Sequence, residues 1–219
     1  MALKEDNRLY QEGCKALEDK KYAKAVELFT ESSNMGNYFA TYNLGCMYYF
    51  GDGVEKDETK AFNYFLKASN QNDPEATNRV AVMYEEGIGI DKDINKAFEY
   101  YKKSALMNSL SGMANLGICY LEAKGTNKDI KLGLDWIEKA SIKGNGAASK
   151  LIANFYTTGL YVEIDYKKAV KYLERGMEQK YGEAVLELAR FYKEGLGVEK
   201  DLKKAKELEE LAPNIFVED

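Results

Sequence analysis

The stretch Leu44-Gly45-Cys46-Met47-Tyr48-Tyr49-Phe50-Gly51-Asp52-Gly53-Val54-Glu55-Lys56-Asp57-Glu58-Thr59-Lys60-Ala61 decides the fold, because its pattern returns four more times at a spacing of 36 residues. Tyr48, Tyr84, Tyr120, Tyr156 and Tyr192 stand on that period, as do Asp57, Asp93, Asp129, Asp165 and Asp201. A small residue after an aliphatic one recurs as Leu44-Gly45, Val80-Ala81, Leu116-Gly117, Ile152-Ala153 and Leu188-Ala189. Lys-Ala recurs as Lys60-Ala61, Lys96-Ala97, Lys168-Ala169 and Lys204-Ala205. A fixed period of this length marks one supersecondary unit stacked on its own copies.

Working outward, each position takes a physical job. Ala40, Leu44, Gly45 and Tyr48 fall at helical spacing and define a first helix, A. The small residue after Leu44 lets a second helix approach closely. Gly51 and Gly53, echoed by Gly87-Gly89 and Gly195-Gly197, suit the left-handed turn that ends a helix. Val54 or its equivalent then plugs the loop into the core. The aspartate on the period stands where a second helix, B, begins, and its carboxylate accepts from the first-turn amides. Ala61, Tyr64, Phe65 and Ala68 give helix B its apolar face. The link Asn72-Asp73-Pro74-Glu75 places Asp73 as the next N-cap and Pro74 at the first helical position.

These residues carry a resemblance. Residues 40–212 resemble five copies of the Sel-one-like repeat, a relative of the tetratricopeptide repeat with a longer glycine-bearing loop between its helices. Residues 1–39, with Gly13, Tyr22-Ala23-Lys24-Ala25 and Phe29 but only Glu18-Asp19-Lys20-Lys21 as a loop, look like a tetratricopeptide repeat. The resemblance implies an all-α fold, a right-handed α-α superhelix or solenoid of about six helix-turn-helix repeats. It also implies an adaptor or scaffold role. Residues 213–219 remain as a tail, apolar at Ile215-Phe216-Val217, that either caps the array or enters a neighbouring molecule. Two copies depart from the pattern. Ala123 replaces the first loop glycine of the third copy and Tyr161 the second loop glycine of the fourth. Tyrosine is disfavoured at positive φ, so a different loop path and irregular stacking are expected over residues 123–165.

In tetratricopeptide folds helix A lines the concave side. The resemblance therefore selects helix A residues on the face away from Leu44 and Tyr48. They are Tyr10 and Cys14 in the first copy, Phe39, Tyr42, Cys46, Tyr49 and Phe50 in the second, and Asn78, Glu85 and Glu86 in the third. Further along, the same register gives Leu121 and Glu122, then Lys150, then Arg190 and Lys193. An exposed aromatic cluster marks an interaction site, and tyrosine is a favoured anchor. The expectation is that Tyr10, Tyr42, Tyr49 and Phe50 hold an apolar peptide segment, with the acidic middle favouring a basic stretch beside it. Aromatics in a repeat array also pack between repeats, so a core role for Phe39, Phe50, Tyr42 and Tyr49 stands as the alternative.

The bulk properties narrow the function classes. The chain has 219 residues, 45% hydrophobic and 31% charged, as expected of a folded protein rather than a disordered one. Its net charge of −5 argues against nucleic acid as a partner. No apolar run is long enough to cross a membrane, and the opening MALKEDNRLYQEG lacks the apolar segment of a signal peptide. Cys14, Cys46 and Cys119 are odd in number and far apart, which fits a reducing compartment rather than a disulfide framework. A cytoplasmic monomer is expected.

The chain has no histidine, so histidine-based catalysis, metal ligation and pH switching are excluded. The glycine pairs lack the remaining residues of a phosphate-binding loop. Asp52 to Asp57 lacks the alternating ligands of a calcium loop, and no cysteines have zinc spacing. No cofactor, metal or catalytic residue is assigned. The expected function is a non-enzymatic adaptor that binds a protein or peptide. An inhibitor or immunity-type regulator that occludes an enzyme is the alternative, and a thiol- or carboxylate-dependent enzyme is a third.

Overall fold

The computed structural model describes the backbone of residues 2–215 and the side chains of residues 5–213. Twelve α-helices and no strand occur among the described residues. They pair as six hairpins of helix A with helix B: α1 (Ala2–Glu18) with α2 (Tyr22–Asn34), α3 (Tyr38–Phe50) with α4 (Glu58–Asn70), and α5 (Pro74–Glu86) with α6 (Ile94–Leu106). The second half continues with α7 (Leu110–Glu122) and α8 (Ile130–Ile142), α9 (Gly146–Thr158) and α10 (Tyr166–Glu178), and α11 (Gly182–Glu194) and α12 (Leu202–Ile215). This is the all-α, helix-turn-helix solenoid class that the resemblance implies. The hairpins group into two compact units, residues 1–112 and 113–219.

The recurring tyrosine and aspartate turn out to be two ends of one hydrogen bond. The Asp57 amide donates to the Tyr48 carbonyl at 2.9 Å, and the same bond of 2.8–2.9 Å closes the loop before Asp93, Asp129, Asp165 and Asp201. Each of these carboxylates then accepts from the amide three residues on, at 2.9–3.0 Å. The tyrosine ring stacks on an aromatic of its partner helix: Tyr48 on Tyr64 at 5.4 Å, Tyr84 on Tyr100 at 5.6 Å and Tyr156 on Tyr172 at 5.9 Å. Lys60, Lys96 and Lys168, which belong to the recurring Lys-Ala pair, cover those rings at 5.1–5.3 Å. Ala25, Phe29, Ala40, Leu44 and Met47 belong to a buried apolar core of the first unit. Leu173, Leu188 and Phe191 anchor that of the second. The small residue after Leu44 has the expected purpose: a Cβ on Gly45 would lie 2.7 Å from the Phe65 ring.

The two irregular loops correct the expectation made for them. Ala123 takes φ +59° and Tyr161 φ +69°, against +85° at Gly51 and +73° at Gly53, so the same turn is kept with the wrong residue types. The Asp129 and Asp165 amides still reach Tyr120 and Tyr156 at 2.9 Å. What sustains Tyr161 is its ring, edge-on to Phe155 at 5.3 Å with Lys128 over its face at 5.7 Å. At the other end, α12 continues through Pro213 to Ile215, so helix occupies the start of the segment read as tail. Phe216 and Val217 of that tail lie outside the described residues.

A polar thread runs through the first unit. Lys67 Nζ donates to Ser33 Oγ at 3.0 Å, Ser33 and Thr41 hydroxyls meet at 2.8 Å, and Thr41 Oγ1 donates to the Asn37 carbonyl at 2.9 Å. Each hydroxyl has one proton, and an ammonium only donates. The direction is therefore fixed: Lys67 to Ser33 to Thr41 to the carbonyl. Copies further along repeat it as Lys103–Ser69–Thr77 and Arg175–Ser141–Ser149. In the third and fifth long copies both hydroxyl positions are apolar, Ala105 with Met113 and Met177 with Val185.

The capping aspartates set a pH response. The amide of Lys60 holds the Asp57 carboxyl below its usual range, and that of Lys168 does the same for Asp165. A carboxylate depressed in the folded state contributes stability above its ordinary pKa and loses it as pH falls through the folded value. Asparagine caps a helix as well as aspartate does but does not titrate. Asp57→Asn/Asp165→Asn is therefore expected to match wild type in thermal melts at pH 7 and to lose less stability than wild type between pH 5 and pH 3. Parallel curves for the two proteins would remove the caps as the source of acid sensitivity.

Candidate functional site

In the first unit, α1, α3 and α5 present one continuous set of side chains. Phe39 is 48% exposed and Phe50 66%, so neither packs the core. Tyr10 bridges outward and inward, 5.9 Å from buried Phe29 and 5.7 Å from Phe39, whose ring also meets Tyr38 at 4.1 Å. Tyr49 meets Phe50 edge-on at 5.0 Å. Tyr42 behaves differently: it is half-buried against core Phe65 at 5.4 Å, which makes it partly a packing residue.

Between α3 and α5 the surface sinks into a cleft of about 360 Å³, open mouth included, lined by Cys46, Tyr49, Phe50 and Phe65 on one side and Arg79, Val82, Met83 and Ile88 on the other. Arg79 was not selected from the sequence. Asn78 was, and it is only 7% exposed. The exposed residues of α5 are Glu75, Arg79 and Glu86, so Glu86 lies on the expected face and Arg79 is exposed in place of Asn78. The signal available was the arginine itself, since residues 1–112 contain only Arg8 and Arg79. Further members of the assumed acidic and basic stripe are engaged internally. Glu85 accepts from the Tyr101 hydroxyl at 2.6 Å. Leu121 is 1% exposed. Lys150 pairs with Glu183 at 2.6 Å, and Arg190 with Glu187 at 2.6 Å and Glu194 at 3.0 Å. Glu86 stays exposed.

The electrostatics of this face favour binding over chemistry. Burial pushes the Cys46 thiol up, away from the thiolate that a nucleophile needs. Burial likewise raises Tyr42, with Cys46 beside it a smaller cause, and pushes Tyr10 up to about 12. These groups are neutral at neutral pH, leaving the Arg79 guanidinium as the charge of the cleft. Cys14 and Cys46 are free thiols, both half-buried. No group of three metal-ligating side chains converges among the described residues. None of the described helices is long and apolar enough to cross a membrane.

Comparison with known proteins agrees with this architecture. A family model described as the Sel1 repeat matches residues 9–37, 39–73, 74–109, 110–145, 148–181 and 182–212, and so includes the short first copy. A Sel1 repeat protein from Oxalobacter formigenes superposes with a TM-score of 0.83 at 30% identity, covering 95% of this chain and 85% of that one. A protective antigen from uropathogenic Escherichia coli, described as displaying an SLR fold, gives 0.77 at 25% identity, covering 96% of this chain and 46% of that one. An immunity protein from Pseudomonas aeruginosa gives 0.72 at 24% identity over 96% of this chain and 81% of that one, a likeness in fold alone. No curated protein matches the sequence.

Proposed function

We propose that this chain, which belongs to the Sel1 repeat family, is a cytoplasmic adaptor or scaffold that acts as a monomer and holds a polypeptide partner on the α1–α3–α5 face of its first unit. Sel1 repeats mediate protein–protein interactions, and the family is typically non-enzymatic. The observation that carries the reading is a break in repeat symmetry. Phe39 stands where the later copies have Glu75, Ser111, Ala147 and Glu183, and Phe50 where they have Glu86, Glu122, Thr158 and Glu194. The repeat therefore packs without an aromatic at either position, yet here both are large, apolar and open to solvent. Fully burying such a ring is worth about 1.5–3 kcal/mol, and these two have roughly half of that to gain.

The same comparison supplies the test. Phe39→Glu/Phe50→Glu installs residues that the fold already uses at those positions. Its melting temperature is expected to stay close to wild type, as for other surface changes. Partner captured from a lysate of the native host is expected to fall at least about tenfold. A partner retained equally by the folded variant would move the site off this face. A captured enzyme that loses its own turnover on binding would make the chain an occluding inhibitor rather than a scaffold.

A further inference from the structure

We infer that the cleft between α3 and α5 seats a bulky apolar side chain of a polypeptide while Arg79 holds an acidic side chain of the same segment. This rests on the binding role proposed above and reverses the charge preference that the sequence suggests.

Arg79 is unlike the other arginines. Arg8 pairs with Glu5 and Glu12, Arg175 with Glu138, and Arg190 with Glu187 and Glu194. Arg79 forms no ion pair with a carboxylate among the described residues, although Glu75 stands one turn before it on α5. Its neighbours are the Tyr42 hydroxyl and the Cys46 and Tyr49 side chains, which carry no compensating charge. Repeat packing does not call for it either, since the same position in other copies holds Asn43, Asn115, Leu151 and Glu187. A guanidinium is permanently charged and presents a planar fork matched to a carboxylate. Here it stands at the rim of an apolar cleft, where a charge-assisted bond is strengthened by low local polarity.

The complementary partner is thus an anchor that enters between Phe50 and Val82, followed by an acid that reaches Arg79. A side-chain carboxylate fits better than a chain terminus. Capture of a terminus uses free backbone amides, and every lining residue except Ile88 lies within a helix. Exposed Glu75 and Glu86 on the same helix limit the positive site to about one carboxylate.

The test uses two fluorescein-labelled, C-terminally amidated peptides that differ in one residue, with cores Phe-Val-Glu and Phe-Val-Lys. Fluorescence anisotropy against the full chain is expected to show the glutamate peptide binding about tenfold more tightly, the scale of one charge-assisted contact. Arg79→Glu, an exposed change that circular dichroism will show to be folded, is expected to reverse that order. Phe50→Glu is expected to weaken both peptides. Equal binding of the two peptides, with Phe50→Glu releasing both, would overturn the charge inference and leave the docking face standing. Binding that neither variant alters would overturn both. Absence of binding by wild type up to about 1 mM peptide would overturn the inference.

Discussion

Gly89→Ala is expected to lower the melting temperature by roughly 6–12 °C, and Gly51→Ala by only about 2–4 °C, although both replace a loop glycine with one methyl group. Both glycines have positive φ, +67° and +85°. An L-residue there costs about 1 kcal/mol in either case. The difference is what the methyl meets. A Cβ on Gly89 would lie 2.2 Å from the backbone oxygen of Glu58, at the start of α4 in the preceding hairpin. Backbone does not yield as a flexible side chain does, so overpacking of about 2 kcal/mol adds to the strain. A Cβ on Gly51 comes no closer than 3.4 Å, to Lys56 Cβ. The third copy already carries Ala123 at the Gly51 position with φ +59°. Urea or thermal melts of the two variants decide the matter. Equal losses would mean that the loop of the third hairpin is not seated on α4. In the fourth long copy Tyr161 occupies the Gly89 position, with its ring against Phe155.

Thr41→Val should cost about 2 kcal/mol, and adding Ser33→Ala should recover most of it. Thr41 is the acceptor for the Ser33 proton in a fully buried site. Valine has the same shape but leaves that donor without a partner, at about 1–3 kcal/mol. Removing the serine hydroxyl as well leaves nothing to satisfy, because Lys67 is exposed and can turn to water. The two apolar copies, Ala105 with Met113 and Met177 with Val185, are natural versions of the double change. A double-mutant cycle in urea is expected to give a coupling of at least about 1 kcal/mol. Additive losses would show that the thread from Lys67 to the Asn37 carbonyl contributes nothing as a unit.

Tyr48 and Asp57 were recognisable as one register, and their shared hydrogen bond explains why. Phe39 and Phe50 were legible as candidates because they break the period, but the sequence left open whether they pack or protrude. Arg79 was not legible because repeat register matches Asn78 to the half-buried Tyr42, whereas Asn78 is buried and its neighbour Arg79 is exposed. Ala123 and Tyr161 misled for a related reason. The cost of positive φ is about 1–2 kcal/mol, which the Phe155 contact and the closing hydrogen bond offset.

By itself the sequence determined the period, the helix boundaries, the caps and the helical class, since these depend on local hydrogen bonding and on apolar spacing within one repeat. The tertiary structure decided which arginine lacks a carboxylate, which aromatics stay open to water and which glycine bears against a neighbouring backbone. Those outcomes depend on groups from different hairpins meeting in space, and a repeating sequence describes each hairpin without describing the side chains that its neighbour brings to the contact.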